Sequence, residues 1–202
     1  MTDELDLLDW RRRIFSVYAD VRSQGPRVGH VRWRAVRDEL FKTHPQSPLA
    51  LPARTAFKGL RYFEYDPKLR LSARVRGRPG ERVDIQTSTG EQMAMRRFGI
   101  VELEWGTLEV FWIDVYGGGV FVPFRDATSG STTYGGGRYL LDTIKGADLG
   151  LTERGELVLD FNFAYHPSCH YDYKWSCPLA PRENWLTVPI EAGERAYEEE
   201  HA

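Results

Sequence analysis

The sequence predicts a mainly β, α+β fold: an antiparallel barrel or sandwich-like sheet with two N-terminal helices. Three observations predict it. Apolar residues recur at three- and four-residue steps in the first part of the chain, and the period falls to two from Leu60 onward. The later apolar stretches are short and separated by Gly-rich turns, the pattern of a meandering β structure.

Leu7, Trp10, Ile14, Tyr18 and Val21 line one face of a first helix. Thr2 is the expected N-cap, and Asp3 and Glu4 stand in the first turn, where the helix dipole favours carboxylates. Ser23-Gln24-Gly25-Pro26 ends it. A second helix is expected from His30 to Lys42, with Trp33, Val36 and Leu40 inward and Arg32, Arg34, Arg37 and Asp38 outward. Pro45 and Pro48 forbid its continuation. A helical turn follows from Pro52 to Lys58, closed by Gly59.

Leu69, Leu71, Ala73 and Val75 then alternate with Arg70, Ser72, Arg74 and Arg76, as do Val83, Ile85 and Thr87 with their polar neighbours. Phe98 to Trp105 and Leu108 to Val115 flank Gly106-Thr107, a two-residue turn suited to a hairpin. Further strands are expected at Val120 to Phe124, Arg138 to Leu141, Leu157 to Asn162 and Trp185 to Ile190. No repeat or low-complexity linker divides the chain, so one domain over residues 1–202 is expected. Residues 1–59 would be a helical part packed on the sheet, 60–190 a β meander with long loops, and 191–202 an acidic tail, frayed from Glu194 to Ala202.

Twenty-seven Lys and Arg stand against 29 Asp and Glu in 202 residues, a net charge of -2. A globally basic nucleic-acid binder is excluded, because phosphate neutralisation dominates such binding. No apolar run approaches the roughly 20 residues that span a bilayer. Met1 to Leu8 is acidic and lacks the features of a signal peptide, so a cytoplasmic location and no membrane partner are expected. A chain of this length buries enough surface to fold without disulfides or metal.

Two segments are denser in functional residue types than a sheet requires. Residues 125–139 carry Gly135-Gly136-Gly137, which frees the backbone to approach a ligand and to form an anion-binding nest. No Gly-Lys-Ser/Thr follows, and the strand-turn-helix context of a dinucleotide fingerprint is missing. A plain Gly-rich return into a strand, as at Gly117-Gly118-Gly119, is the bland alternative. Residues 162–184 form a long aromatic loop in which both cysteines and two of the five histidines lie within twelve residues. His166, Cys169, His170 and Cys177 are four metal-ligand types, but Cys177 stands alone, whereas a zinc knuckle shows paired ligands on both sides. Cys169 beside His166 and His170 offers a nucleophile with a lowered pKa. Against both stands a third reading: two small buried residues, or a reversible clip across the loop. Between Arg54 and Arg82 nine basic residues face three acids, with Arg70, Arg74 and Arg76 on one strand face, either a solvated surface or a docking face.

Several ordered motifs carry a resemblance. Thr133-Tyr134-Gly135-Gly136-Gly137-Arg138-Tyr139, Leu159-Asp160-Phe161-Asn162 with Tyr165, Pro167-Ser168-Cys169, and Cys177-Pro178-Leu179-Ala180-Pro181 with Glu183-Asn184 resemble the uncharacterised prokaryotic domain of unknown function 1684. Asp9-Trp10-Arg11 and Arg37-Asp38-Glu39-Leu40-Phe41 with His44-Pro45 and Ser47-Pro48 extend the likeness over nearly the whole chain. The resemblance implies no activity. It does imply Asn more often than His at position 166 and a small residue at 170, so a mechanism common to the family would not rest on these histidines.

The sequence therefore points to a small polar or anionic ligand held in a pocket between residues 125–139 and 162–184, with no cofactor and the oligomeric state left open. Arg138 would pair with the anion. Asn162, Glu183 and Asn184 would orient the ligand, and Tyr134, Tyr139, Tyr165 and Trp175 would wall the pocket. A cofactor-independent enzyme would add acid-base chemistry from Glu183 or nucleophilic chemistry from Cys169. A non-catalytic interaction module would use the Arg70, Arg74 and Arg76 face.

Overall fold

The structure, a computed structural model, describes residues 2–197. Two long helices lead, α1 (Asp3–Ser23) and α2 (Pro26–Thr43), followed by the short α3 (Leu51–Ala56). Asp3, Glu4 and Asp6 occupy the first turn of α1 as its dipole favours, but the Thr2 hydroxyl makes no capping hydrogen bond. The inward stripe of α1 is Ile14, Val17, Tyr18 and Val21, with Trp10 partly buried against the same core, while Leu7 is exposed. Helix α2 starts at Pro26, ahead of the expected His30, because proline at the first helical position gives up no hydrogen bond and presets φ. Arg37 corrects the outward assignment: it is buried on the same face as Trp33 and Phe41.

The strands are β1 (Arg70–Ala73), β2 (Arg76–Gln86), β3 (Gln92–Leu103), β4 (Gly106–Ile113), β5 (Gly119–Phe124), β6 (Arg138–Asp142) and β7 (Leu157–Asp160). β2 to β6 form an antiparallel meander in sequence order, and β1 pairs antiparallel with β7 in a separate two-stranded ribbon with Leu71 opposite Leu159. The sheet is open rather than closed into a barrel. In the β3–β4 hairpin Leu103 pairs with Gly106, so Glu104-Trp105 are the turn residues and Gly106, at φ +145°, opens the return strand. The stretch from Leu69 to Arg76 is divided between β1 and β2, which separates Arg70, Arg74 and Arg76. Arg70 lies 3.7 Å from Asp160 and Arg76 2.7 Å from Glu102, so the single basic strand face is not formed.

Alternation along the central strands buries both sheet faces. Val110, Val122 and Leu140 join Ile14, Val17, Trp33 and Phe163 in the large core under the helices. Their sequence neighbours Phe111, Phe121 and Tyr139 pack with Ile85 and Met95 on the opposite face. Residues 185–190 are not a strand. Only Trp185 forms a bridge, to Arg125, and the backbone of Ile190 is claimed by side chains: its N–H donates to Asp126 (2.6 Å) and its carbonyl accepts from Arg138 (2.8 Å). Glu194, expected in a frayed tail, is fully buried, and residues 198–202 lie outside the described residues. Among the described residues no helix is long and apolar enough to cross a membrane.

Candidate functional site

The loop that leaves β5 is organised by one carboxylate. Asp126 is buried and accepts from the Thr128 hydroxyl (2.9 and 3.0 Å), the Ser129 hydroxyl (3.2 Å) and the Ile190 amide. It also faces Arg138 at 3.3 Å. Arg138 is wholly enclosed and donates to the Ala192 carbonyl as well as to that of Ile190, so its guanidinium belongs to the scaffold. Burial pulls its pKa down to about 10, outweighing the opposing pull of Asp126 and Glu194, which leaves the guanidinium charged at neutral pH. Gly137, at φ +96°, returns the chain to β6 at a point where a Cβ would stand 2.5 Å from the Phe124 carbonyl oxygen.

The two asparagines also clamp backbone. Asn184 accepts from the Glu109 amide (2.8 Å) and donates to the carbonyls of Glu109 (3.0 Å) and Pro123 (2.7 Å). Asn162 accepts from the Asp66 amide and donates to the Asp66 carbonyl and to Asp160, each at 2.8 Å. The Tyr139 hydroxyl donates to the Pro178 carbonyl (2.7 Å), and the Tyr139 and Tyr165 backbones pair with each other. Glu183 is exposed on a one-turn 3-10 helix, Arg182–Asn184, and lies apart from enclosed Arg138.

The structure does open a groove of about 570 Å³ between the two loops named from sequence. Tyr134, Gly135 and Gly136 line it on one side, and Leu179 to Arg182 on the other, with Asp84 to Gln86 of edge strand β2 alongside. Its cations are Arg125 and Arg182, with guanidinium carbons 4.1 and 5.9 Å from the ring centre of half-exposed Trp185. Neither arginine forms an ion pair among the described residues. The Gly135 and Gly136 amides donate to no backbone carbonyl among them either. Backbone bonds from Arg125 N–H to Asn184 O (3.0 Å) and from Leu186 N–H to Arg125 O (2.8 Å) hold Arg125 beside Trp185. The sequence reading missed both arginines and Trp185; the signal was Pro181-Arg182 three residues before a tryptophan that a strand assignment had absorbed.

Cys169, half-buried, and Cys177, buried, are both free thiols. Cys169 sits in a 3-10 turn, Ser168–His170, and its sulfur is 3.7 Å from the Tyr134 hydroxyl. Cys177 is strapped to the end of β2: its amide donates to the Ser88 hydroxyl (3.1 Å) and its carbonyl accepts from the Ser88 amide (2.9 Å). The influence of the Cys177 thiol, with help from Ser88 and Tyr134, pulls Cys169 down to about 6 despite its burial. The influence of Cys169, then burial, pushes Cys177 up.

The histidines face elsewhere. The His166 amide donates to Glu194 (3.0 Å), its ring accepts from the Tyr134 amide (3.2 Å), and His170 accepts from the Tyr197 amide (2.9 Å). The four-ligand metal arrangement of His166, Cys169, His170 and Cys177 is not assembled: among the described residues no group of three or more such side chains is placed to hold a metal ion. Glu194 anchors a second buried cluster, accepting from Arg37 (2.7 Å) and the Tyr171 hydroxyl beside a cavity of about 70 Å³ lined by Tyr18, Arg37 and His166. Burial alone would raise its pKa; Arg37, His166 and Tyr171 outweigh burial and hold the carboxyl at about 2. Arg37 was legible as part of the α2 inward face, at i+4 from Trp33 and i−4 from Phe41.

An open antiparallel meander, two covering helices and a basic, aromatic groove between two ordered loops define the class of protein. The chain belongs to the family described as protein of unknown function (DUF1684), which matches residues 55–195. It is similar to the solution NMR structure of an uncharacterised protein from gene locus rrnAC0354 of Haloarcula marismortui, at 36% identity and a TM-score of 0.58. That match covers 85% of this chain and 95% of the Haloarcula marismortui one. No curated protein matches the chain.

Proposed function

We propose that the protein binds a small anionic molecule in the groove between residues 125–139 and 162–184. The observation that carries this reading is the Arg125–Trp185–Arg182 stack: two guanidinium groups without a carboxylate partner, held against one ring on the wall of an open groove. Stacking fixes the plane of a guanidinium and leaves its N–H fork free for a carboxylate or phosphate. The amides of Gly135 and Gly136 add uncharged donors, and Tyr134 and Trp185 add apolar walls. The groove volume lies within the range of small-molecule sites, roughly 300–1,000 Å³. The anion-pairing role assigned to Arg138 passes to Arg125 and Arg182, and the orienting role of Asn162 and Asn184 falls away because their amides are saturated. Asp84 supplies a carboxylate at the rim, which favours a ligand with a polar or cationic portion beside its anionic group.

The test is native mass spectrometry of freshly purified protein, followed by calorimetric titration with a panel of carboxylates and phosphate esters. A ligand that binds the parent protein should lose about tenfold or more in affinity in Arg125→Ala and in Arg182→Ala, the scale of a charge-assisted hydrogen bond. Affinity unchanged in both variants would move the site elsewhere.

A further inference from the structure

We propose that the anion in the groove is the free C-terminal carboxylate of an extended peptide whose main chain adds a strand to the open edge of β2. This rests on the groove reading above and deepens it by naming the ligand. β2 is an edge strand, with β3 as its one neighbour in the sheet. The direction of its backbone groups follows from alternation. Thr87, just past β2, faces the β3 side, where its amide donates to the Glu91 carbonyl (2.8 Å). Gln86 therefore faces outward, and its carbonyl accepts from the Leu179 amide (2.8 Å). Arg82 and Asp84 share that outward parity, in register with Arg96 and Ala94 of β3. Among the described residues no backbone group takes up their outward N–H and C=O, or the Gln86 N–H.

The protein itself adds a short strand to this edge. Cys177 to Leu179 run antiparallel along it, with Pro178 opposite Thr87 and a second rung from Ser88 N–H to Cys177 O (2.9 Å). The added segment then departs: Pro181 has no N–H to give, and by Asn184 and Trp185 the chain pairs with Arg125 instead. The groove opens at that departure, between Asp84 to Gln86 and Ala180 to Arg182. A ligand strand placed there continues the ladder that residues 177–179 begin. Edge protection stops at the same place. Pro79 and the bulge between Gly77 and Glu81 blunt the first half of β2, whereas Glu81 to Gln86 keep regular register with β3. Arg125, Arg182 and the Gly135 and Gly136 amides offer donors to the carboxylate, and Tyr134 and Trp185 offer apolar walls to side chains. A C-terminus suits both contacts, because its carboxylate sits on the main chain that pairs with β2.

The experiment exposes the immobilised full-length protein to a degenerate library of N-acetylated hexapeptides with free C-termini, and sequences the retained peptides by mass spectrometry. The best binder is remade as the free acid, as the C-terminal amide, and with single N-methyl groups along its backbone. The free acid should bind about tenfold tighter than the amide. N-methylation should cost about fivefold at alternate residues and little between them, as a strand ladder requires. Asp84→Pro removes one outward donor and no bond to β3, so it should weaken the peptide about fivefold where Asp84→Ala does not. Small carboxylates and phosphate esters should bind Asp84→Pro as they bind the parent. If those anions bind through Arg125 and Arg182 while no library peptide is retained, or while N-methylation is tolerated everywhere, this proposal falls and the groove reading stands. Failure of peptides and small anions alike would remove both. A dimer that forms with rising protein concentration and is abolished by Asp84→Pro would give the edge to a second copy of this chain and overturn the proposal.

Discussion

Arg37 in α2 and Glu194, 157 residues later, meet at 2.7 Å with side chains 7% and 0% exposed. The pair ties the helical cover to a segment whose Glu194 amide donates to the Ala164 carbonyl in the aromatic loop. Glu194 also takes the His166 amide and the Tyr171 hydroxyl, and its carbonyl lies 3.4 Å from Arg138. A residue the composition assigns to a solvated tail is thus a junction for both loops.

Removing one partner leaves the other charge buried and unpaired, which costs about 3–5 kcal/mol. Arg37→Met and Glu194→Gln should each lower the melting temperature by about 10 °C in a protein of this size. The double variant should lose less than the sum of the two singles, because neither charge is then stranded. Thermal denaturation of the four proteins checks both statements; strict additivity would show that the pair is not coupled.

The pH dependence of stability has two windows. Burial, assisted by Arg34, holds His30 at about 4, and burial, assisted by His166, holds His170 at about 4. Both values lie below the ordinary 6.5, so the unfolded chain takes up the protons first, and this contribution is present above pH 6.5 and lost between 6.5 and 4. Glu194, at about 2 against an ordinary 4.5, contributes above pH 4.5 and loses that contribution as pH falls to 2. Denaturant titrations at pH 7.5, 5 and 3 should show stability falling at each step. His30 packs against the rings of Trp33 and Phe163 with an unpartnered Nε2, so His30→Phe should remove about 3 kcal/mol of the fall between pH 6.5 and 4.

Scaffold and groove should separate in a stability screen. Asn184→Ala strands the Glu109 amide and two buried carbonyls, and should cost about 2–3 kcal/mol or more. Arg138→Lys should also be costly, since a single ammonium cannot span the Ile190 and Ala192 carbonyls and Asp126 with a planar fork. Arg125→Ala and Arg182→Ala, whose side chains stand in the groove, should stay within about 0.5 kcal/mol of the parent. A melting temperature as low for Arg125→Ala as for Asn184→Ala would make Arg125 a scaffold residue.

The sequence by itself determined the architecture to the extent that architecture is a local property. The change of period from 3.6 to 2 located α1, α2 and the meander, because side-chain direction repeats with the backbone helix or pleat and needs no distant partner. The two loops that flank the groove were legible for the same reason, from glycines and aromatics clustered over short stretches. Tertiary structure alone decided which polar residues the protein spends on itself. Arg138 reads as a ligand-binding guanidinium until Ala192, 54 residues on, closes over it, and Asn184 reads as a ligand contact until Glu109, 75 residues earlier, takes up its amide. Arg125 and Arg182 become available only because both stand by the Trp185 ring while no carboxylate among the described residues pairs with either. A buried polar group must find partners wherever the chain brings them, and that requirement spans separations over which composition and periodicity carry no signal.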